Sequence, residues 1–416
     1  MEGELREAAS LPIEATRGIW RAFRHRNFNL FFFGQLISMI GTWSQTLALS
    51  WLVWQLTHSA IWLGVIGFTI QFPILVFGLP GGAMADRFDR LRSLTLMQTL
   101  CMLQALALAA LTIMGRIELW QVVALSFALG SVYSFEFPIR QAFVMDIVGK
   151  RDLLNAVSMT AAMFHFTRIL GPTVAGAIVA WKGEGICFLF NAATFLALIT
   201  ALAFVDRSKM QPVKRASEPL GRAIMEGLRH MSSVPAAKLS LVLVAVLAGI
   251  GMQFTTLMPI FADKVYGGGA VQLGWLMGAS GIGALSGAFW LARRASSERL
   301  LLLAAVSGVI FSLSLIAFGI VPTILAALPI LVIMGLCLTL AFSSVGTLLQ
   351  HRTPDHLRGR MMSLFTITFM GVGPFGSILA GVLAKAIGAQ ITLAACGAFC
   401  LMVGLFVLYR ARSIDS

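Results

Sequence analysis

Fixed charge is scarce in this chain. Only 12% of its 416 residues are Asp, Glu, Lys or Arg, against about 25% in an ordinary soluble domain. The shortage excludes a water-soluble globule, because too little polar surface remains to cover one. Polar–apolar alternation over segments of about ten residues is also missing, which argues against a membrane β-barrel. No G-x-x-x-x-G-K-[ST] loop is present, so the chain carries no phosphate cradle for an ATP-driven pump. Six histidines and few acidic residues supply neither a zinc pattern nor a catalytic triad. The five cysteines (Cys101, Cys187, Cys337, Cys396, Cys400) show neither a disulfide framework nor paired CxxC spacing. They are read as small apolar packing residues. The first 26 residues are polar and basic, with no cleavable apolar core.

Apolar length is abundant: 58% of residues are hydrophobic and mean hydropathy is +0.86. Backbone inside hydrocarbon must satisfy its own hydrogen bonds, and long continuous runs do so as helices. Twelve spans of about 20 residues or more are expected: 28–54, 61–84, 93–114, 119–146, 154–180, 186–205, 238–262, 271–292, 299–319, 323–350, 359–385 and 388–409. Net charge is +13. Of the basic residues, Arg116, Lys182, Lys264 and Lys385 fall in odd-numbered connections and Arg140 and Arg168 inside spans; the others, about 25, lie at the termini, in even-numbered connections or at the span ends that open from them. The positive-inside rule then places both termini in the cytoplasm. The basic charge reads as topology and lipid contact, not as a nucleic-acid surface. Ile19, Trp20 and Phe23 among Arg17, Arg21 and Arg24 suggest a short surface helix before the first span.

The halves repeat. Gly171-Pro172 with Gly176 in span five recurs as Gly373-Pro374 with Gly376 in span eleven. Lys150-Arg151-Asp152 corresponds to Arg352-Thr353-Pro354-Asp355. The expected division is an N-terminal segment 1–26, a six-helix bundle 27–205, a basic linker 206–237, a second bundle 238–410 and a tail 411–416. Residues 219–231 of the linker have the makings of a surface helix.

One short loop is densely charged: Gly82-Ala-Met-Ala-Asp86-Arg87-Phe-Asp89-Arg90-Leu-Arg92. Its pattern G-x-x-x-D-R-x-x-R resembles the signature loop between the second and third helices of the major facilitator superfamily. The opening Arg26-Asn27-Phe28, Gly34-Gln35 and Gly41-Thr42-Trp43, together with Arg168-Ile-Leu-Gly171-Pro172 and Arg358-Gly359-Arg360, resembles its bacterial branch of enterobactin-exporter-like and macrolide-efflux proteins. The resemblance implies an all-α membrane transporter of twelve helices in two pseudo-symmetric bundles, driven by a proton gradient with no bound cofactor. The corresponding loop of the second half, Ala292 to Arg299, keeps positive charge but has no Asp-Arg pair. A gate is therefore expected only in the first half, built from Gly82, Asp86, Arg87, Arg90, Asp146 and Arg360. Asp86 would face the N-terminal end of span eleven, where the helix dipole favours an anion. Arg87 and Arg90 would reach Asp146. A merely topological charge loop is the alternative.

Charges inside spans cost at least about 2.5 kcal/mol on insertion scales, so they face a cavity or a partner. Glu136 and Arg140 share a face of span four with Tyr133. His165 on span five lies at nearly the depth of Glu136, about 20 Å from the connecting loop, with Arg168 one turn deeper. One polar cluster of these four is expected. Desolvation favours a protonated Glu136 and a neighbouring arginine an ionised one. Glu136 is accordingly the first candidate for proton coupling and His165 the second; a static Glu–Arg pair is the alternative. Gly171-Pro172 and Gly373-Pro374 are expected to kink their spans.

Spans one, four, seven and ten should line a midplane cavity. Polar stripes supply Gln35, Ser38, Thr42 and Gln45, then Tyr133, Gln253, Thr256 and Ser343, with interhelical hydrogen bonding as the other use of each. Such a wall suits a bulky amphipathic small molecule. The resulting expectation is a monomeric, proton-driven exporter of a drug-like or siderophore-like compound in a bacterial cytoplasmic membrane. A lysophospholipid flippase or an importer of the same fold is the alternative.

Overall fold

Each long apolar run forms a helix, and the short polar breaks between runs form the turns. The computed structural model describes residues 20–211, 234–294 and 299–415, with only the backbone described at 79–87, 355–356 and 414–415. The α-helices among them are α1 Arg26–Thr57, α2 Ala60–Arg87, α3 Arg90–Ile113, α4 Leu119–Lys182, α5 Glu184–Ala203, α6 Pro235–Gly249 and α7 Phe254–Ile260. They continue with α8 Ala270–Arg293, α9 Leu300–Ile320, α10 Ile324–Arg352, α11 Asp355–Gly371, α12 Gly373–Ile387 and α13 Ala389–Asp415. Eleven helical stretches are long and apolar enough to cross a membrane, counting Pro235–Val265 and Leu357–Ile387 as one each. The sequence expects twelve. The difference lies in α4, whose 64 residues contain two expected spans joined without a loop.

Local chemistry sets the boundaries. Only Phe88 and Asp89 separate α2 from α3, and the Asp89 carboxylate accepts the Arg92 N–H at 2.7 Å, capping the new helix. Gly149 breaks α4 with φ 70° and ψ 175°, a conformation open to glycine and strained for other residues. The two glycine-proline motifs behave differently. Pro172 sits inside α4 with no departure from helical backbone around it, whereas Val372 separates α11 from α12 just before Gly373-Pro374. Only the second motif divides its span. The expected surface helix at 219–231, residues 17 and 19, and the loop at 295–298 lie outside the described residues. Within the described part of the expected short surface helix, Arg21–Arg24 form a 3-10 turn.

Helices before residue 206 pack with one another around Phe28, Phe31, Leu94 and Phe143; those after residue 234 pack around Phe254, Phe261, Phe311 and Phe318. The two groups meet where α2 lies against α12 and the second arm of α4 lies against α8. The approach is backbone to backbone. A Cβ on Gly64 would collide with the Ser377 carbonyl, so only glycine lets α2 lie this close to α12.

Candidate functional site: an internal cavity

A cavity of about 900 Å³ opens between the two groups of helices. Its wall carries Gln35, Ser38, Thr42 and Trp43 of α1, Gln98 of α3, Tyr133, Glu136, Phe137 and Arg140 of α4, and Met362, Thr366 and Met370 of α11. Most of these residues lie in the half of the bundle toward the Arg90 and Gly149 turns. The opposite end is shut. There Ala60 meets Gly381, Ala270 meets Gly176, and the indole of Trp54 donates to Asp263 Oδ2 at 2.8 Å. Lys264 lies over the same indole, with its Nζ 5.3 Å from the ring centroid. Asp263 and Lys264 sit in a π-helical turn, Phe261–Val265, a local widening frequent at functional positions.

Charge on the cavity wall is paired. Glu136 is 4% exposed; its Oε1 accepts from Gln98 Nε2 at 3.1 Å and lies 3.5 Å from the Arg140 guanidinium. The Arg140 guanidinium also reaches over Phe137, 5.6 Å from its centroid. Gln35 and Gln98 are each 3% exposed, and each has a side-chain Oε1 without a hydrogen-bond partner. The wall therefore combines one carboxylate–guanidinium pair and a broad aromatic and methionine surface, with two buried, unpartnered amide oxygens among its glutamines.

The expected four-residue cluster does not assemble. Arg168 lies over Trp43, 5.7 Å from the ring centroid, and no carboxylate pairs with it among the described residues. His165 packs edge-on against Phe164 with Nδ1 unpartnered, and its charged neighbour is Arg168, not Glu136. The cause is the tight seam of α4 on α1, where Gly171 abuts Trp43 and its carbonyl accepts from the Ser44 hydroxyl at 2.9 Å. Trp43 and Phe164 stand on the cavity wall, and His165 and Arg168 do not.

The polar stripes also divide. Gln35, Ser38, Thr42 and Tyr133 line the cavity. Gln45 is buried behind it, donating to Gln104 Oε1 at 3.0 Å and accepting from Asn191 Nδ2 at 2.8 Å. Gln253 donates to the Ala248 and Gly373 carbonyls and accepts from Thr256 at 3.3 Å, tying α6, α7 and α12 together. Ser343 is half-buried on α10, also off this wall. Spans seven and ten thus leave the cavity to α2 and α11. Of the wall residues that sequence reasoning missed, Gln98 carried a legible signal: an amide within an apolar run.

At the other side of the cavity's half, the turns are tied together. Arg90 reaches Asp146 at 2.6 Å, and Asp146 is 2% exposed. The side chains of Gly82, Asp86 and Arg87 lie outside the described residues. Arg360 falls in the first turns of α11, where Arg358 Nε donates to the Gln350 carbonyl at 3.1 Å. The Arg21–Arg24 turn is pinned to the start of α4's second arm, with Arg21 3.1 Å and His25 2.9 Å from Asp152. The Ala22 N–H also donates to Asn155 Oδ1 at 2.9 Å. His25 donating to its carboxylate, with Arg21 adding positive charge, holds the Asp152 carboxyl below the usual aspartate range.

A bundle of long apolar helices around a cavity shut at one end defines a multi-pass membrane transporter, not an enzyme. The chain belongs to the transmembrane secretion effector family of the major facilitator superfamily, which it matches over residues 17–415. It is similar to the staphyloferrin A transporter of Staphylococcus aureus (25% identical, 92% of this chain, 96% of the relative). It is also similar to the multidrug efflux pump Tap of Mycolicibacterium fortuitum (27%, 93% and 96%) and the enterobactin exporter EntS of Escherichia coli (24%, 92% and 91%). A bacterial homologue of the lysosomal transporter Spinster, solved inward-facing and unoccupied, shares the fold with TM-score 0.72 at 14% identity, over 93% of this chain and 97% of that one. A D-xylose–proton symporter does so with TM-score 0.71 at 14% identity, over 91% and 97%.

Proposed function

We propose that this protein exports a bulky amphipathic small molecule from a bacterial cell by alternating access, drawing on the proton gradient. The observation that carries the reading is the cavity: a large aromatic and methionine-rich wall, one buried carboxylate, and closure at one end only. At 1.5 Å per residue the 64 residues of α4 would run about 96 Å if straight, some three bilayer cores. Read as two crossings meeting at Gly149, α4 brings the total to twelve. An even total puts both termini on one side, and the basic residues of the Arg90 and Gly149 turns favour the cytoplasm of an inner-membrane protein. In that frame the cavity faces inward and the Trp54–Asp263 end faces outward.

Export is supported by the relatives, which include an enterobactin exporter and a multidrug efflux pump. The cavity wall agrees with such cargo. Its charges cancel in one pair, and its remaining surface suits a partly apolar compound better than a small sugar or a metal cation. Glu136 is the acidic side chain on the cavity wall, which makes it the proposed proton site, with Arg140 setting its balance.

The test uses proteoliposomes with the cytoplasmic side outward. Enterobactin and, separately, a fluorescent lysolipid are supplied outside with the lumen made acidic. The reading expects enterobactin accumulation that a protonophore abolishes and that Glu136→Gln uncouples from the gradient. Accumulation unaffected by the protonophore, or movement of the lysolipid alone, overturns it.

A further inference from the structure

A second pocket, of about 490 Å³, opens between α3 and α5 and shares no lining residue with the central cavity. Arg92, Thr95, Leu96 and Thr99 come to it from the first turns of α3, and Leu202 and Arg207 from the end of α5 and the turn beyond. Its charge is gathered at one end. The Arg207 side chain is 51% exposed and lies 3.6 Å from Asp89 Oδ2, while Asp89 Oδ1 accepts the Arg92 N–H. Arg92 is exposed too, and its guanidinium has no partner among the described residues. An exposed pair such as Arg207–Asp89 is weak and readily exchanged for another anion. Two guanidinium groups and one carboxylate, itself already engaged by both of its oxygens, leave this end positive.

Polarity stops within two turns. The Thr95 and Thr99 hydroxyls donate to the Leu91 and Thr95 carbonyls at 2.8 Å each, so neither has a donor to spare. Leu96, Leu100 and Leu103 follow at helical spacing on one face of α3, and all three are exposed. From Arg92 to Leu103 is about 16 Å at 1.5 Å per residue, close to half of a bilayer core of about 30 Å. A positive mouth thus stands over an apolar stripe one leaflet deep.

We propose that this pocket binds one anionic phospholipid, with its phosphate at Arg92 and Arg207 and its acyl chains along the α3 leucines. In the orientation proposed above, the lipid belongs to the inner leaflet. Basic pockets between membrane helices on the cytoplasmic side recognise such headgroups. A free anion would leave the leucine stripe unused. A zwitterionic headgroup would bring its ammonium against two arginines, with the Asp89 oxygens already taken. The linker that follows Gln211 is a poorer match: residues 212–233 carry Lys214, Arg215, Arg222 and Arg229 against Glu218 and Glu226, an excess of the same sign as the pocket.

The experiment uses the full-length protein in uncharged detergent with Thr95→Cys as reporter, the five native cysteines being buried. Phosphatidylglycerol is expected to slow maleimide modification of the reporter, whereas phosphatidylethanolamine and free glycerol phosphate at equal concentration leave it unchanged. Adding Arg92→Gln and Arg207→Gln should raise the phosphatidylglycerol needed about thirtyfold, the worth of two arginine–phosphate attractions at a membrane surface. Arg410→Gln with Arg412→Gln removes equal charge from α13 and should change nothing. Native mass spectrometry should count one phosphatidylglycerol more on the wild type than on the Arg92/Arg207 double variant. Equal protection by phosphatidylethanolamine or by glycerol phosphate, equal effects of the two arginine pairs, or equal lipid counts overturns the site. Slow modification without lipid that is relieved by cleaving the 212–233 linker gives the pocket to that segment and overturns it as well.

Discussion

Trp54 of α1 donates its indole N–H to Asp263, 209 residues further along the chain, at 2.8 Å. The bond joins the two helix groups at the end where the cavity is shut. Trp54 is 1% exposed, so the bond is shielded from water. A hydrogen bond to a charged group is worth about 1.5–3 kcal/mol, a shift of roughly ten- to a hundredfold in a two-state equilibrium. Trp54→Phe keeps an aromatic ring and removes the donor. It is expected to populate the state open at this end, raising the modification rate of a cysteine placed at Ser59, and Asp263→Asn should do the same more weakly. Unchanged rates in both variants would exclude the bond as a gate.

Close approach of α2 and α12 seals the same end. Gly64 stands against the Ser377 carbonyl and the Ile378 backbone, neither of which can yield as a flexible side chain can. Gly64→Val should force the helices apart, expose the Ser59 cysteine, and lower the melting temperature. Gly78→Ala meets open space and should leave the melting temperature unchanged or slightly raised, since alanine favours helix. Equal behaviour of the two variants in thermal unfolding would contradict the packing argument.

The Arg90–Asp146 pair joins α3 to α4 inside one helix group. Asp146 is 2% exposed and the Arg90 side chain 9%. Removing one partner of a buried pair costs on the order of 3–5 kcal/mol, because the other charge stays buried. Arg90→Ala should therefore destabilise strongly, and adding Asp146→Asn should recover part of the loss. A double-mutant cycle read by thermal unfolding in detergent measures the coupling, and additive losses would show that the pair is not energetically linked.

Much of this was legible in the sequence, and the failures have specific causes. Run length located the membrane helices, since nothing but a helix satisfies that much backbone in hydrocarbon. At the join in α4 it expected a loop around Lys150-Arg151-Asp152, where the backbone departs from the helix only at Gly149 and those polar residues are themselves helical. Helical spacing put Gln35, Ser38, Thr42 and Gln45 on one face. Periodicity says nothing of what stands opposite that face, and Gln45 meets Gln104 and Asn191 where the others meet the cavity. Glu136 and Arg140 pair because four residues bring them together on one helix. Arg168 and His165 depended on equal depth across two arms, and depth does not fix rotation about the helix axis. The α11 wall was unreadable because it depends on how the two helix groups lean together.

Asp152 ties the segment before α1 to the turn at Gly149, and its titration has a definite sign. The Asp152 carboxyl is held below its ordinary value, first by the hydrogen bond from His25 and then by the charge of Arg21. A carboxyl lowered in the folded state stabilises that state above the unfolded value of about 4 and loses the contribution as pH falls toward the folded value. The tie should thus hold across neutral pH and loosen only below about pH 4. A spin label at Phe23 should stay immobile from pH 8 to about pH 5 and gain mobility below about pH 4, as the Asp152 proton is taken up. Asp152→Asn should show the mobile spectrum already at neutral pH. Release of the wild-type label well above pH 5 would assign control to a group other than Asp152.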